Sequence, residues 1–250
     1  MSSRARPRIP GRWVAGVDGC RVGWIAVFVD LDGRAPAHLC LASSFVDLID
    51  GPRTPKIIAV DMPIGLPDFI EGPGRVAEQA ARPHVPGKSS SIFSVPSRKA
   101  IYAEEHGGLE DAKRTARETS CPPKAFSLEA RNIFRKIREI DRLLIARPTL
   151  RSRVYETHPE LAFCLLNSGV PLLSKKRNPS GRKARSRLLR KAGVDKAILS
   201  MRPPSGSQWD DLIDAVVCAV VARRIAAKEA VSYPARPGRD RYGLPVAIWA

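Results

Sequence analysis

The stretch WVAGVDGCRVGWIAVFVD, residues 13–30, sets the topology of the chain. Residues 13–17 and 24–29 are short apolar runs of the kind that form buried strands. The DGCRVG segment between them contains two glycines, which permit a tight connection. We therefore predict that the chain opens with two strands joined by a tight turn.

The residues that follow extend this opening. Residues 38–42 form a third strand candidate, and residues 45–49 a short helix. Residues 57–60 (IIAV) are fully apolar and mostly β-branched, which is typical of a buried strand, and this strand stops at Asp61. The predicted order βββαβ indicates a mixed α/β domain.

The rest of the chain alternates loops and helices. Residues 62–100 are rich in proline, glycine and serine and are too long for an ordinary connection. We predict a short strand at residues 154–155, and a capping box at residues 207–210 with Asp210 as its acid. Helices are predicted at residues 76–82, 108–119, 126–145, 159–166 and from the capping box to about residue 228. The expected organisation is a flexible basic leader (1–11) and one domain (12–250) with a helical and loop insertion at about 62–150.

Length and composition exclude several classes of protein. With 250 residues, of which 44% are hydrophobic, the chain can bury a substantial core and is not predicted to be disordered. The longest nearly apolar run, residues 212–222, is about half of a membrane span and contains Asp214, so no membrane association is expected. The basic N-terminus lacks the apolar region of a secretory signal. The five cysteines include no close pair, which argues against disulfides or a zinc knuckle and favours a reducing, cytoplasmic location.

The charge of the chain favours a polyanionic partner. The formal net charge is +17, and residues 175–191 carry nine basic residues without an acid, about half of the excess. This segment is either a solvated, poorly packed loop or a surface that contacts phosphates. Nucleic acid is the first candidate partner, and the charge does not distinguish DNA from RNA.

Carboxylates follow the predicted strands at comparable places. Asp18, Asp61 and Glu156 each lie at the end of an apolar strand. Asp211 and Asp214 are three residues apart on the last predicted helix, where the stripe that continues from Asp214 is apolar. A carboxylate in such a position is costly to bury unless it is paired, capped or bound to metal.

Metal-assisted phosphoryl transfer would account for this set of acids. Carboxylates on a sheet and one helix can hold two Mg²⁺ or Mn²⁺ ions, which activate water and stabilise the leaving oxygen. Without metal, clustered carboxylates repel one another, so at least one should have a raised pKa. Four of the five acids also have a purely structural interpretation: a turn at Asp18, an Asx-turn at Asp61, an arginine partner for Glu156 and helix-dipole compensation by Asp211. We predict as catalytic acids Asp18, Asp61, Asp211 and Asp214, and as metal ligands these four together with Glu156.

Seven segments in order resemble one family of bacterial and archaeal proteins. These segments are GVDGCRVGWIAV (16–27), IAVDMPIGLPD (58–68), SIFSVPSRKAIYA (91–103), FRKIREIDRLL (134–144), YETHPELAF (155–163), DDLIDAVVCAVVARRIA (210–226) and GLPVAIW (243–249). They are similar to domain-of-unknown-function family 429, described as predicted RNase H-like nucleases. The resemblance implies an RNase H-like mixed sheet flanked by helices.

The resemblance also implies roles for the acids. Asp18 matches the acid on the first strand of RNase H-like enzymes, and Asp61 the acid that ends the fourth strand. Asp211 and Asp214 look like the acid-x-x-acid pair on a late helix of RuvC-type resolvases. Glu156 has no firm counterpart in that scheme.

Several polar residues are candidates for binding substrate phosphate. They are Ser94, Ser97, Arg98, Lys99 and Arg75, and Arg82 is a further one. The serines and prolines around residue 95 could equally form a rigid loop. His158 could act as a general base or phosphate contact, or cap a helix.

Three functions fit these features of the sequence. The first is a metal-dependent nuclease that hydrolyses a phosphodiester of DNA or RNA. The second is a non-catalytic nucleic-acid-binding protein that retains the fold. The third is an actin-like nucleotide phosphotransferase, since residues 17–19 (VDG) resemble a first phosphate-binding turn, although no second such turn is found. The last helix and residues 243–249 could pack on the domain's own sheet or form a dimer interface.

Overall fold

The computed structural model describes residues 9–250, so most of the predicted leader lies outside the described residues. The strands are β1 (Trp13–Cys20), β2 (Gly23–Asp30), β3 (His38–Ala42), β4 (Ile57–Val60), β5 (Ile70–Glu71), β6 (Ser120–Cys121), β7 (Val154–Glu156), β8 (Ser232–Arg239) and β9 (Pro245–Trp249). The helices are α1 (Phe45–Ile49), α2 (Val76–Ala81), α3 (Arg98–Glu118), α4 (Leu128–Asn132), α5 (Phe134–Ala146), α6 (Pro159–Leu166), α7 (Pro179–Lys191), α8 (Lys196–Leu199) and α9 (Trp209–Ala226).

The described chain forms two compact units. The first contains the residues up to Asp61 together with Ser174–Ala230, and the second contains Met62–Leu173 together with Val231–Ala250. The second unit begins where the sequence predicts an insertion to begin, but it continues beyond residue 150 and includes the C-terminal segment. The organisation as one domain with an insertion stays a prediction.

The first unit is a mixed α/β structure, as predicted. β1 and β2 form an antiparallel hairpin whose register runs from Trp13 opposite Asp30 to Cys20 opposite Gly23. β3 pairs antiparallel with β2, and β4 pairs parallel with β1, so the strands lie in the order β3-β2-β1-β4. The βββαβ opening is therefore confirmed. The strands at the centre of the sheet are almost entirely buried, which explains why they are apolar without alternation.

Helix α9 covers this sheet. It packs against β1, β2 and β4, and every residue from Leu212 to Ala222 is buried. Gly16 on β1 makes this packing possible, because a Cβ at that position would overlap the backbone nitrogen of Ala219 and the carbonyl oxygen of Ala215. The last helix therefore packs on the sheet of its own unit.

Most of the basic segment, residues 179–191, forms helix α7, so its interpretation as a poorly packed loop is wrong for these residues. Asn178 precedes α7 and Pro179 occupies its first turn, where the missing N–H of proline carries no cost. Arg185, Leu188 and Leu189 are buried, and α7 packs against α9. The remaining charges of α7 form an exposed basic face, which consists of Arg182, Lys183, Arg187, Arg190 and Lys191.

The second unit contains most of the loops and short helices. The helix predicted at residues 126–145 is divided at Ile133 into α4 and α5, and α3 begins at Arg98 but is interrupted at Gly108, whose φ is +73°. β5 pairs parallel with β6, and β8 pairs antiparallel with β9. These two small sheets have no counterpart among the predicted elements. None of the helices formed by residues 9–250 combines the length and the apolar character needed to cross a bilayer.

Candidate active site

Asp18 and Asp61 are brought together by the parallel pairing of β1 and β4. Val17 lies opposite Val60, and the Asp61 N–H donates to the Val17 carbonyl oxygen over 3.0 Å. Because side chains alternate along a strand, Asp18 lies on the same face of β1 as Gly16, which is the face that α9 covers. Asp18 is buried, and its Oδ1 accepts a 2.7 Å hydrogen bond from the Gly19 N–H.

Asp214 enters the site from α9. It directly precedes Ala215, whose carbonyl oxygen lies against Gly16, so the close packing at Gly16 fixes the position of Asp214 along the sheet. Asp214 is only 3% exposed. The prediction that this acid points to the buried side of the helix is confirmed.

The three carboxylates lie close enough to influence one another. Burial raises the pKa of Asp18 well above its usual value, and the negative charges of Asp61 and Asp214 raise it further. Asp211 adds a weaker repulsion, and Lys176 a partly compensating attraction. The expectation that at least one clustered acid has a raised pKa is confirmed at Asp18.

Lys176 places a positive charge in this cluster. Its ammonium group donates a short hydrogen bond to Asp214, whose side chain is 5% exposed, while that of Lys176 is 37% exposed. Burial alone would lower the pKa of Lys176, but the hydrogen bond and attraction of Asp214 together with the charges of Asp18 and Asp61 outweigh burial and raise the pKa above its usual value. The sequence contains no local signal for this role, because Lys176 is one of nine basic residues in its segment.

Cys218 lies one helical turn beyond Asp214 and borders the same cluster. It is buried, and burial together with the charges of Asp61, Asp18 and Asp214 raises the pKa of its thiol well above the usual value. The thiol is therefore protonated at neutral pH. The apolar stripe that continues from Asp214 in the sequence already contains Cys218, but its spacing alone does not distinguish it from an ordinary core residue.

Asp211 caps the helix that carries Asp214. Its Oδ2 accepts a 2.7 Å hydrogen bond from the N–H of Gln208, the N-cap residue of α9. Burial raises the pKa of Asp211 above its usual value, and the hydrogen bond from Gln208 opposes that rise. The predicted capping acid, Asp210, instead pairs with Arg177 at 3.5 Å, so the capping box lies one residue later than predicted. A catalytic or metal-binding role for Asp211 stays a prediction.

The donors in this cluster suit a hard divalent cation. Carboxylate oxygens are the ligands that Mg²⁺ and Mn²⁺ prefer, and a cation would relieve the repulsion that raises the pKa of Asp18. As the side chains stand, residues 9–250 contain no group of three or more His, Cys, Asp or Glu arranged to hold a metal ion. The chemistry of the acids fits a metal, whereas the cation that contacts Asp214 in this arrangement is Lys176.

Glu156 and Arg75 form a buried ion pair within the second unit. Two guanidinium nitrogens of Arg75 donate to the Glu156 carboxylate over 2.6 and 3.1 Å, and Arg75 also pairs with Glu78. Glu156 further accepts a 2.7 Å bond from the Ile64 N–H, and Arg75 donates to the Ile64 and Gly65 carbonyl oxygens. Together they fix the loop after β4. The arginine partner considered for Glu156 is therefore present, and its metal-binding role stays a prediction, as does substrate binding by Arg75.

The other predicted substrate contacts also lie in the second unit. Arg98 is buried, pairs with Asp141 at 2.6 Å and Asp240 at 2.7 Å, and donates to the Leu66 carbonyl oxygen. Ser97 is the N-cap of α3 and accepts from the Ala100 N–H, whereas Lys99 is exposed. These three roles in substrate binding remain predictions.

Ser94, Arg82 and His158 hold loop backbone in the same unit. Arg82 donates to the Ser94 hydroxyl, which itself donates to the Pro73 carbonyl oxygen over 2.8 Å. His158 precedes α6, and its Nε2 lies 3.1 Å from the Ser91 carbonyl oxygen. The interpretation of the loop around residue 95 as a rigid one agrees with these contacts, while substrate binding by Ser94 stays a prediction.

Comparison with known proteins gives one family. No curated protein and no solved structure matches the chain significantly. The model of the family described as protein of unknown function (DUF429) matches residues 16–239, which include the three clustered aspartates and Lys176 as well as the buried Arg75–Glu156 pair. Since this match spans most of the chain, the chain belongs to the DUF429 family.

Proposed function

We propose that this protein is a metal-dependent nuclease that hydrolyses a phosphodiester bond of nucleic acid. The observation that carries the proposal is the convergence of Asp18, Asp61 and Asp214, which come from two adjacent strands and one helix of the first unit. Folding a protein around three carboxylates that repel one another lowers its stability. Such a cost is typical of sites that bind a cation or perform catalysis.

The residues of the cluster would have the following roles. Asp18 and Asp61 on the rigid sheet, and Asp214 on the helix packed against it, would hold Mg²⁺ or Mn²⁺ through their carboxylate oxygens. Bound there, the metal would activate water and stabilise the leaving oxygen. The Gly19 N–H fixes one oxygen of Asp18, and Lys176 orients the carboxylate of Asp214.

The basic face of α7 supports a nucleic-acid substrate. The segment that places Lys176 at the cluster continues directly into α7, whose arginines and lysines other than the buried Arg185 are exposed along one face. Neutralising phosphates with these side chains would release counterions and strengthen binding. We include a cytoplasmic location in the proposal because, within residues 9–250, no disulfide joins any of the five cysteines.

The test is cleavage of labelled single-stranded, duplex and branched DNA and RNA with Mg²⁺ or Mn²⁺. We expect Asp18→Asn and Asp214→Asn to lose activity by at least about 100-fold, because each removes a charged ligand oxygen. The matched control is Asp210→Asn, which changes an acid of the same helix that pairs with Arg177. Wild-type cleavage that both site variants retain would overturn the proposal.

A non-catalytic nucleic-acid-binding protein is the second candidate. It is favoured by the Lys176–Asp214 ion pair together with the finding that residues 9–250 present no ready group of metal ligands. Binding that weakens steeply with salt, without cleavage under any metal, would support this candidate over the nuclease.

A further inference from the structure

Lys176 combines two properties that an ordinary surface lysine lacks. It contacts Asp214, and it also interacts with Asp18 and Asp61, the two acids on the sheet. Its neighbours in the segment differ from it, since Lys175 is exposed and Arg177 pairs with Asp210 outside the cluster. Residues 175–177 thus place one positive charge, that of Lys176, beside the three carboxylates.

The net charge of the site matches the charge of one divalent ion. Fully ionised, Asp18, Asp61 and Asp214 carry three negative charges, and Lys176 offsets one of them. Asp211 is engaged in capping α9 and repels Asp18 only weakly. One divalent ion therefore neutralises the cluster, whereas two ions would give it a positive excess that burial makes costly.

We propose that Lys176 takes the place of one of the two metal ions expected of an RNase H-like site, so that the protein binds a single divalent ion. The inference rests on the proposed function, because it concerns the same carboxylates. The Lys176 ammonium holds Asp214, and the ion is held mainly by the acids on the sheet. Lys176 is then a positioning residue of the site rather than a general phosphate contact.

Counting bound Mn²⁺ tests this inference without any substrate. In calorimetric titrations of the full chain, we expect the wild type to bind one Mn²⁺ per chain. Lys176→Met keeps an unbranched side chain that is one atom shorter and removes its charge, so it should bind a second ion or bind the first at least about tenfold more tightly. Lys176→Arg should behave as the wild type, and so should Lys175→Met, the exposed neighbouring control.

Thermal unfolding provides an independent measurement. Without metal, Lys176→Met should unfold at a lower temperature than the wild type, because Asp214 loses its cation, and excess Mn²⁺ should remove this difference by mass action. Two ions bound to the wild type would overturn the inference but leave the nuclease proposal standing. Unchanged Mn²⁺ binding by Lys176→Met would do the same. A wild type that binds no Mn²⁺ would overturn both.

Discussion

At the scale of single residues, Asp18 shows that the site keeps a buried acidic group at the expense of folding stability. Its carboxylate is buried on β1, and its ionised form is opposed both by burial and by the two neighbouring aspartates. A hydrophobic or amide side chain at this position would avoid that cost. The cost is understandable if a bound cation offsets it, since natural sites often sacrifice stability for function.

Replacing Asp18 with asparagine should stabilise the metal-free protein. The amide keeps the oxygen that accepts from the Gly19 N–H but removes the charge that Asp61 and Asp214 repel. We expect the melting temperature without metal to rise by about 2–4 °C, equivalent to roughly 1 kcal/mol in a chain of this size. Scanning calorimetry in a chelating buffer measures it. A lower melting temperature than that of the wild type would contradict the account of the cluster.

Glu156 makes the stability of the protein depend on pH. Burial raises the pKa of Glu156 to about 7, even though Arg75 opposes the rise. In the unfolded chain this carboxyl titrates near its ordinary value of about 4.3. Between these two values the folded state binds more protons than the unfolded state, so the free energy of unfolding falls as pH rises and the stabilisation is fully present only below about pH 4.3.

Glu156→Gln should remove this pH dependence. The wild type is expected to lose up to about 1.4 kcal/mol of unfolding free energy per pH unit from this group, and the variant should lack that slope. Urea unfolding between pH 4.5 and 8 measures the difference between the two proteins. Glu110→Gln is the control, because Glu110 is an exposed acid of α3. Parallel profiles for wild type and Glu156→Gln would show that Glu156 is not the titrating group.

At the scale of elements, Gly16 determines how α9 meets the sheet. Gly16→Ala would force the helix backbone away from β1 at Ala215 and Ala219. We expect a loss of about 1–3 kcal/mol in unfolding free energy, the usual cost of overpacking a core, together with weaker Mn²⁺ binding because Asp214 moves with the helix. Chemical unfolding and calorimetric titration measure the two effects.

The control for this prediction is Gly238→Ala. Gly238 lies on β8, where an added Cβ would meet no atom within 4 Å and where φ is not positive. This variant should keep the stability and metal binding of the wild type. If Gly16→Ala were equally harmless, the close approach of α9 to β1 would not fix the site.

The strands at the centre of the sheet are predicted well because their residues are buried alike, which leaves continuous apolar runs. β4 has the predicted bounds, and β1 and β2 exceed them only at their ends. β3 and α1 also have the predicted bounds, although β3 is half-buried and α1 is buried on one face only. β8 escapes prediction because it is largely exposed and contains Pro234 and Pro237, which remove the alternation that identifies strands. The sequence does not predict α7, because most of its residues are polar or charged. Only its buried face at Arg185, Leu188 and Leu189 shows the helical period.

The residues of the candidate site likewise include some that the sequence predicts and some that it does not. Asp18, Asp61 and Asp214 can be predicted because each interrupts an apolar pattern at the end of a strand or on a buried helix stripe. Lys176 cannot, because its role depends on where a loop brings it after folding. Local polarity likewise does not reveal that Arg75 is buried between two glutamates, since an arginine in a proline- and glycine-rich stretch has the same sequence context as an exposed one.

At the scale of the whole molecule, the charge of +17 is concentrated as well as large. About half of the excess lies in one segment, which the first unit displays as the exposed face of α7 beside the helix that carries Asp214. Basic residues elsewhere are often paired, as with Lys113 and Arg114 of α3, which contact Glu110 and Asp111. Because of this unequal distribution, we predict that α7 makes most of the phosphate contacts. The alternative is that binding follows the net charge of the whole chain.

The salt dependence of nucleic-acid binding distinguishes these two sources of affinity. Replacing Lys183, Arg187 and Arg190 with alanine should weaken binding and reduce the slope of log K against log salt by about 2, because each lost phosphate contact removes roughly 0.7–0.9. The control replaces Lys113, Arg114 and Arg117 of α3, which lowers the net charge by the same amount. Fluorescence anisotropy between about 50 and 200 mM salt measures both slopes. If the two triple variants changed the slope equally, binding would follow net charge, and α7 would have no special role in holding the substrate.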